Sequence, residues 1–309
     1  MLSNRWYISP TSWEASIQSE TAYNWETEQW ALSQGNSRSE IKILLKGYAM
    51  QSSHYRVVVS VLCSLLFLLT LLPSVVFAAD GEDSWEFHIA PYAWLAGLNG
   101  TVATLPGLPP ADIEMDFQDD IIDNVQGALM LVGEARKDRF GIAIDVAYTD
   151  IESDSAIPGQ NFTTLSSRTK NWLVTAAGFY RLMDTGKASV DALAGIRYWS
   201  VDSELALSGG PLGSYSVDNK EQWIDPLVGL KGLTMLGGSK FFMSGFLMIG
   251  GFGAGSDFMW DLNANLGYRW GEMFSTTIGY RYLDVDYEND GFLYDVAQHG
   301  PTLGLSWRF

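Results

Sequence analysis

The stretch Thr302-Leu303-Gly304-Leu305-Ser306-Trp307-Arg308-Phe309 decides the fold. Its period of two puts Leu303, Leu305, Trp307 and Phe309 on one face of a strand. Thr302, Gly304, Ser306 and Arg308 fall on the other. A terminal row of large apolar side chains has nothing downstream to cover it in water. In a bilayer that row is solvated by lipid, provided every backbone group pairs with a neighbouring strand, which requires a closed barrel. An ordinary edge strand of a soluble sheet is the competing reading.

Composition favours the barrel. The 309 residues carry a net charge of -17, which argues against nucleic acid as a partner. Gly and the aromatic residues are abundant, as interface girdles and pleated strands require. The one continuous apolar run long enough for a membrane helix is 57–77, VVVSVLCSLLFLLTLLPSVVF, with Arg56 before it and Ala78 and Ala79 after it. Arg56, Pro73 and the small residues at the end predict a signal-peptide helix over 50–78, cut after Ala78 or Ala79. A retained anchor is the alternative. Cys63, the only cysteine, lies in this run, so no disulfide is expected in the mature chain. Residues 1–49 are polar and lack a period; they read as a mis-assigned or disordered N-terminal extension upstream of Met50. The expected mature unit is 79–309.

Within that unit, segments of nine or more residues alternate apolar with polar, and short turns alternate with longer connections. Strands are expected near 85–95, 125–136, from 140, 168–182, 189–204, 222–235, 241–252, 258–270 and from 274, with the closing strand last. The clearest sets Phe258, Trp260, Leu262, Ala264, Leu266, Tyr268 and Trp270 against Met259, Asp261, Asn263, Asn265, Gly267 and Arg269. The segment 241–252 is apolar on both faces, so its facing is not readable. Tight turns are expected near 137, 184, 238 and 271, and longer loops from 96, 152, 206, 253 and 284. The expected fold is all-β: a transmembrane antiparallel up-and-down barrel of about ten strands, with eight to twelve as the range. Twelve would follow if the arm at 101–117 spans.

Two resemblances support this. Thr302, Gly304, Trp307 and Phe309 occupy the defining places of the C-terminal signal by which Gram-negative outer-membrane proteins are handed to the barrel-assembly machinery. Pro91-Tyr92-Ala93-Trp94, Glu134-Ala135-Arg136, Gly195-Ile196-Arg197-Tyr198, Trp223-Ile224-Asp225-Pro226 and Gly279-Tyr280-Arg281-Tyr282 resemble segments of an uncharacterised group of proteobacterial outer-membrane barrel proteins. The resemblance implies a fold and a place in the cell outer membrane after secretion to the periplasm. It implies no activity.

With the aromatic row outward, the lumen collects Glu86, Glu134, Asp145, Asp191, Asp225 and Asp261 with Arg136, Arg197, Lys231, Arg269, Arg281 and Arg308. Acids and bases balance, so mutual ion pairing across a narrow lumen is expected. That favours a structural or surface-interaction role. A narrow passive channel for small solutes is the first alternative, and a lipid- or peptide-active surface enzyme the second. His88 and His299 have no acid partner at the outer rim in this register, so no catalytic residue is assigned. No cofactor or metal is assigned either. Asp286 to Gly291 approaches a calcium loop but offers Ala297 where a bidentate Glu is needed. The expected partners are outer-membrane lipid, lipopolysaccharide and the assembly machinery; divalent cations at the acidic loops stand as an open alternative.

Overall fold

The computed structural model describes residues 85–105, 109–117, 121, 123–156, 162–211 and 213–309. The expected extension, the signal peptide and Cys63 lie outside them. The described strands are β1 Glu86–Trp94, β2 Gly97–Ala103, β3 Ala111–Met115, β4 Val125–Lys137, β5 Phe140–Ala156, β6 Thr164–Asp184, β7 Ala188–Gly210, β8 Gly213–Met235, β9 Phe241–Gly250, β10 Phe258–Arg269, β11 Phe274–Asn289 and β12 Phe292–Arg308. All belong to one antiparallel sheet in which β1 pairs with both β4 and β12, so β1 and β4 to β12 close a ring. The sheet thus has twelve strands, and the ring within it ten. The last residue completes the closure: Phe309 and Phe87 exchange backbone hydrogen bonds of 2.9 and 3.2 Å.

The extra pair, β2 and β3, is the arm at 101–117, and it continues the wall rather than adding a span. β1 and β2 follow β12 in one register, from His88 opposite Arg308 to Leu293 opposite Ala103. The ladder falters between them at Leu95, whose N–H reaches the Pro301 carbonyl at 2.9 Å, because Pro301 has no N–H to return. Gly300 is required beside it, since a Cβ there would lie 2.0 Å from the Leu95 carbonyl oxygen. Pairing between β1 and β4 stops at Pro91 opposite Leu131. Above that level the Trp94 N–H donates to the Met130 sulfur at 3.2 Å instead of a carbonyl.

Three of the expected loops prove to be strand. β5 and β6 extend in register to Ala156 opposite Thr164, and β7 and β8 pair on to Gly210 opposite Gly213 across a register shift above Leu207. The acidic segment 284–291 is the upper part of β11 plus a two-residue turn, with φ of 46° at Asp290 and 83° at Gly291. Positive φ at both central residues matches the twist of the flanking strands. The upper parts of β5 to β8 are largely polar on both faces because water lies on both sides, so they carry no alternation to read as strand, whereas the upper part of β11 sets Asp284, Asp286 and Glu288 against the buried Val285 and Tyr287.

The outer surface is an apolar belt that includes Ile142, Ile144, Ile196, Leu230, Met243, Leu266, Ile278, Leu303 and Phe309, all exposed. Trp307 and Phe274, with ring centroids 5.1 Å apart, sit low on it near Tyr268 and Trp270. Higher up lie Trp260 stacked on Tyr282 and Tyr148 against Trp172. Two aromatic girdles bounding an apolar band are what a bilayer requires of a barrel wall. β9, unreadable from its sequence, turns Phe242 and Met248 inward and Phe241, Met243, Leu247 and Ile249 outward.

Candidate functional site in the lumen

Alternation along β5, β7, β10 and β11 brings the central charges together. Asp261 on β10 is fully buried and accepts from Arg197 on β7 at 2.7 Å and from Arg281 on β11 at 2.7 and 3.0 Å. Arg197 also donates to the Thr175 hydroxyl at 2.9 Å. Arg281 donates to the Tyr92 hydroxyl at 3.0 Å and lies 3.3 Å from Asp145, to which Tyr92 in turn donates at 2.8 Å. The Arg281 guanidinium stands 4.7 Å from the Trp94 ring centroid. Two carboxylates therefore balance two guanidiniums, and each buried charge has both a counter-ion and hydrogen bonds. That is the condition under which buried ions are tolerated.

A second charged layer lies nearer the short turns. Lys231 meets Glu134 at 2.6 Å, and Arg136 meets Asp191 at 2.6 Å. Arg181, which was not among the expected residues, binds Asp191 and Asp184. Its position shares the parity of the inward Thr175, so the period of β6 would have found it. Phe179 separates the two pairs, with Lys231 Nζ 3.7 Å and Arg136 Cζ 4.7 Å from its ring centroid.

The expected balance of acids and bases fails in two places. Asp225 is fully buried, yet its carboxylate accepts from no cation among the described residues; it takes the Trp199 indole at 2.8 Å, the Ser256 N–H at 2.6 Å and the Ser256 hydroxyl at 2.8 Å. Trp223 donates to that same hydroxyl at 2.9 Å. These bonds draw the connection 251–257 into the barrel, an inward fold that its glycine-rich sequence did not announce. At the other extreme, Glu86, Arg269 and Arg308 join no ion pair with a described residue. Glu86 and Arg308 are exposed at the open end, where water supplies the solvation, and Arg269 stands 5.6 Å from the Phe242 ring centroid.

The interior above the charges is apolar, contrary to the expectation of a polar lumen throughout. Trp199 and Trp223 stack at 5.4 Å, and Trp223 and Tyr287 at 3.9 Å with rings 6° from parallel. Phe292, Tyr294, Val201, Leu283, Val285, Val296 and Met259 pack in the same cluster. All lie at inward parity. The alternation of β11 and β12 showed two usable faces there, and only the assembled ring decides which faces in.

Outside, His299 follows the register of Phe309 without a bulge. It faces Tyr282 in the β11–β12 ladder, stacks on that ring at 5.4 Å, and its Nδ1 lies 2.8 Å from the Tyr280 hydroxyl. Above the upper girdle, Arg168 forks onto Asp150 at 2.9 and 2.8 Å and holds that carboxyl below its usual range. Asp286 moves the other way, pushed up by burial and then by Asp295 opposite it. Among the described residues no group of three or more His, Cys, Asp or Glu is arranged to hold a metal ion.

A closed ring of strands, apolar outside and charged within, defines the class: a membrane-spanning β-barrel of the outer-membrane type. No family model matches the chain, and no curated protein sequence matches it. Solved structures do. The outer membrane protease OmpT from Escherichia coli matches at 12% identity and a TM-score of 0.49, over 74% of this chain and 97% of that one. The translocator domain of the autotransporter NalP from Neisseria meningitidis matches at 14% identity and 0.42, over 81% and 97%. Ail, the attachment invasion locus protein of Yersinia pestis, matches at 14% identity and 0.33, over 74% and 99%.

Proposed function

We propose that the protein is an integral outer-membrane barrel that does not conduct, and that its role is structural and surface-interacting. The observation that carries this is the fully buried Asp261 with Arg197 and Arg281, lying beneath the stacked Trp199, Trp223 and Tyr287. A solute path needs water at that height, and water would expose these groups. What remains for function is the wall above the girdle, where β5 to β8 rise as paired strands of 17 to 23 residues. About nine to eleven tilted residues suffice to span a bilayer, so these hairpins project well beyond it. In this reading the chain reaches the outer membrane by way of the periplasm, guided by its signal peptide and by Thr302, Gly304, Trp307 and Phe309, and stands among lipid and lipopolysaccharide.

Planar-bilayer recording of the refolded chain tests the reading. The expected trace shows no steps above leak, whereas reproducible unitary steps would replace the sealed barrel with a narrow channel. The Trp223→Ala/Tyr287→Ala double variant serves as the sensitivity control: thinning the aromatic layer is expected to produce flickering leak.

A further inference from the structure

β8 is paired on one side along its whole length and on the other only in part. β7 accompanies it from Gly213 to Thr234, but β9 meets it only from Leu227 opposite Gly250 downward. The Gly251 N–H binds the Pro226 carbonyl, so even-numbered residues of β8 direct their backbone groups toward the β9 side. At Ile224 the connection 251–257 still covers that side, with Gly255 packed against the Ile224 carbonyl. From Gln222 up to Ser214 the even-numbered N–H and C=O groups meet no backbone partner among the described residues. Ser214, Ser216, Asp218, Lys220 and Gln222 are all exposed. A free edge of this length is a template for another strand.

Its charges select the strand. On the outer face Lys220 lies opposite Asp202 of β7, and Lys170 of β6 lies opposite Asp202 from the other side, so that row alternates in sign. Asp218 lies opposite Glu204, a like-charge contact at the outermost column of the sheet. An edge partner placing a cation beside Asp218 and an anion beside Lys220 would continue the first row and relieve the second.

We propose that the partner is the same edge of a second copy of this chain, paired antiparallel about a twofold axis at Asn219. Even-numbered residues must face even-numbered ones, because they carry the free backbone groups. Centring on Asp218 or Lys220 sets like charges opposite each other. Centring on Asn219 sets Asp218 opposite Lys220 twice and Ser216 opposite Gln222 twice. Antiparallel pairing reverses the strand, so the two barrels point apart and the contact joins opposed membrane surfaces rather than neighbours in one bilayer. This rests on the proposed reading that the β7–β8 hairpin stands outside the cell.

The test uses the full chain in a Cys63→Ser background, refolded in detergent and followed by sedimentation. Asp218→Lys and Lys220→Asp, each alone, are expected to weaken dimerisation about tenfold or more, since two favourable pairs become two repulsive ones. An equimolar mixture is expected to restore the dimer, because one variant presents lysine at both positions and the other aspartate at both. Asn219→Cys is expected to cross-link on mild oxidation, because a non-hydrogen-bonded pair sets its Cα atoms about 4.5 Å apart. Ser203→Cys on β7, away from the edge, is expected not to. A wild-type chain that stays monomeric at high concentration overturns the proposal, as does a mixture no more associated than its components. Maleimide labelling of Tyr215→Cys on intact cells reads the exposure of the hairpin separately. Absence of label there rejects the surface reading, while the detergent dimer still decides the pairing.

Discussion

Two aspartates at the same depth of burial are held by different means, and substitutions should tell them apart. Asp261 is the counter-ion of Arg197 and Arg281, so Asp261→Ala leaves two guanidiniums facing each other away from water. A loss of about 3–5 kcal/mol is expected, read as a lower denaturant midpoint of the folded barrel. Asp225 answers only indole, hydroxyl and amide donors. Asp225→Asn keeps one acceptor oxygen and removes an uncompensated charge, so the same measurement should show a smaller loss, about 1–3 kcal/mol. Equal losses at the two sites would mean that the Asp225 charge has a counter-ion after all. The facing of both residues was legible in the sequence, because each sits in a strand whose alternate neighbours are large and apolar. Their partners were not. Register across the four strands β7 to β10 decides that Arg197 reaches Asp261 rather than Asp225, and no single strand records it.

At the scale of elements, the upper hairpins show how far periodicity reaches. β10 was readable throughout because lipid wets one of its faces and charges meet the other. β9 was not, because Phe242 and Met248 turn inward into an interior that is itself apolar at their level. The upper parts of β5 to β8 failed for the opposite reason, being polar on both sides. One ion pair ties this extension together and gives it a pH dependence. Arg168 holds the Asp150 carboxyl low, so its contribution is complete above the carboxyl's unfolded value, about 3.9, and is lost as pH falls through the lower folded value. Amide exchange along β5 and β6 above Asp150 should quicken over that range of acid. Asp150→Asn should exchange at the faster rate throughout and show no such change; a wild-type hairpin whose protection ignores pH would detach the pair from its stability.

For the whole molecule, the placement of the bilayer follows from the two girdles and is open to measurement by depth. Leu266, opposite Ile278, lies between the girdles, and Phe258, opposite Asp286, lies above the upper one. Leu266→Arg is expected to cost about 2–4 kcal/mol for folding into lipid vesicles and Phe258→Arg about 0–1 kcal/mol. Reversal of that order would move the membrane along the barrel. The closed ring also explains why the terminal stretch was so informative. Its apolar row needs lipid on one side, and its backbone needs a partner, which β1 supplies.

That partnership sets a clock on assembly. Phe309 binds Phe87, so the two ends of the described ring meet at this seam. The other seams of the ring join strands that follow one another in sequence, apart from β1–β4, which β2 and β3 interrupt, whereas this one closes the longest loop the described barrel contains. Until then β1 and β12 are open edges, exposed to pairing with whatever strand is near. Closing this seam carries the largest loop-closure cost of any pairing in the ring, and loss of the Phe87–Phe309 bonds is expected to loosen it first at its lower end, while Ala93 opposite Leu303 and Trp94 opposite Thr302 hold the rest.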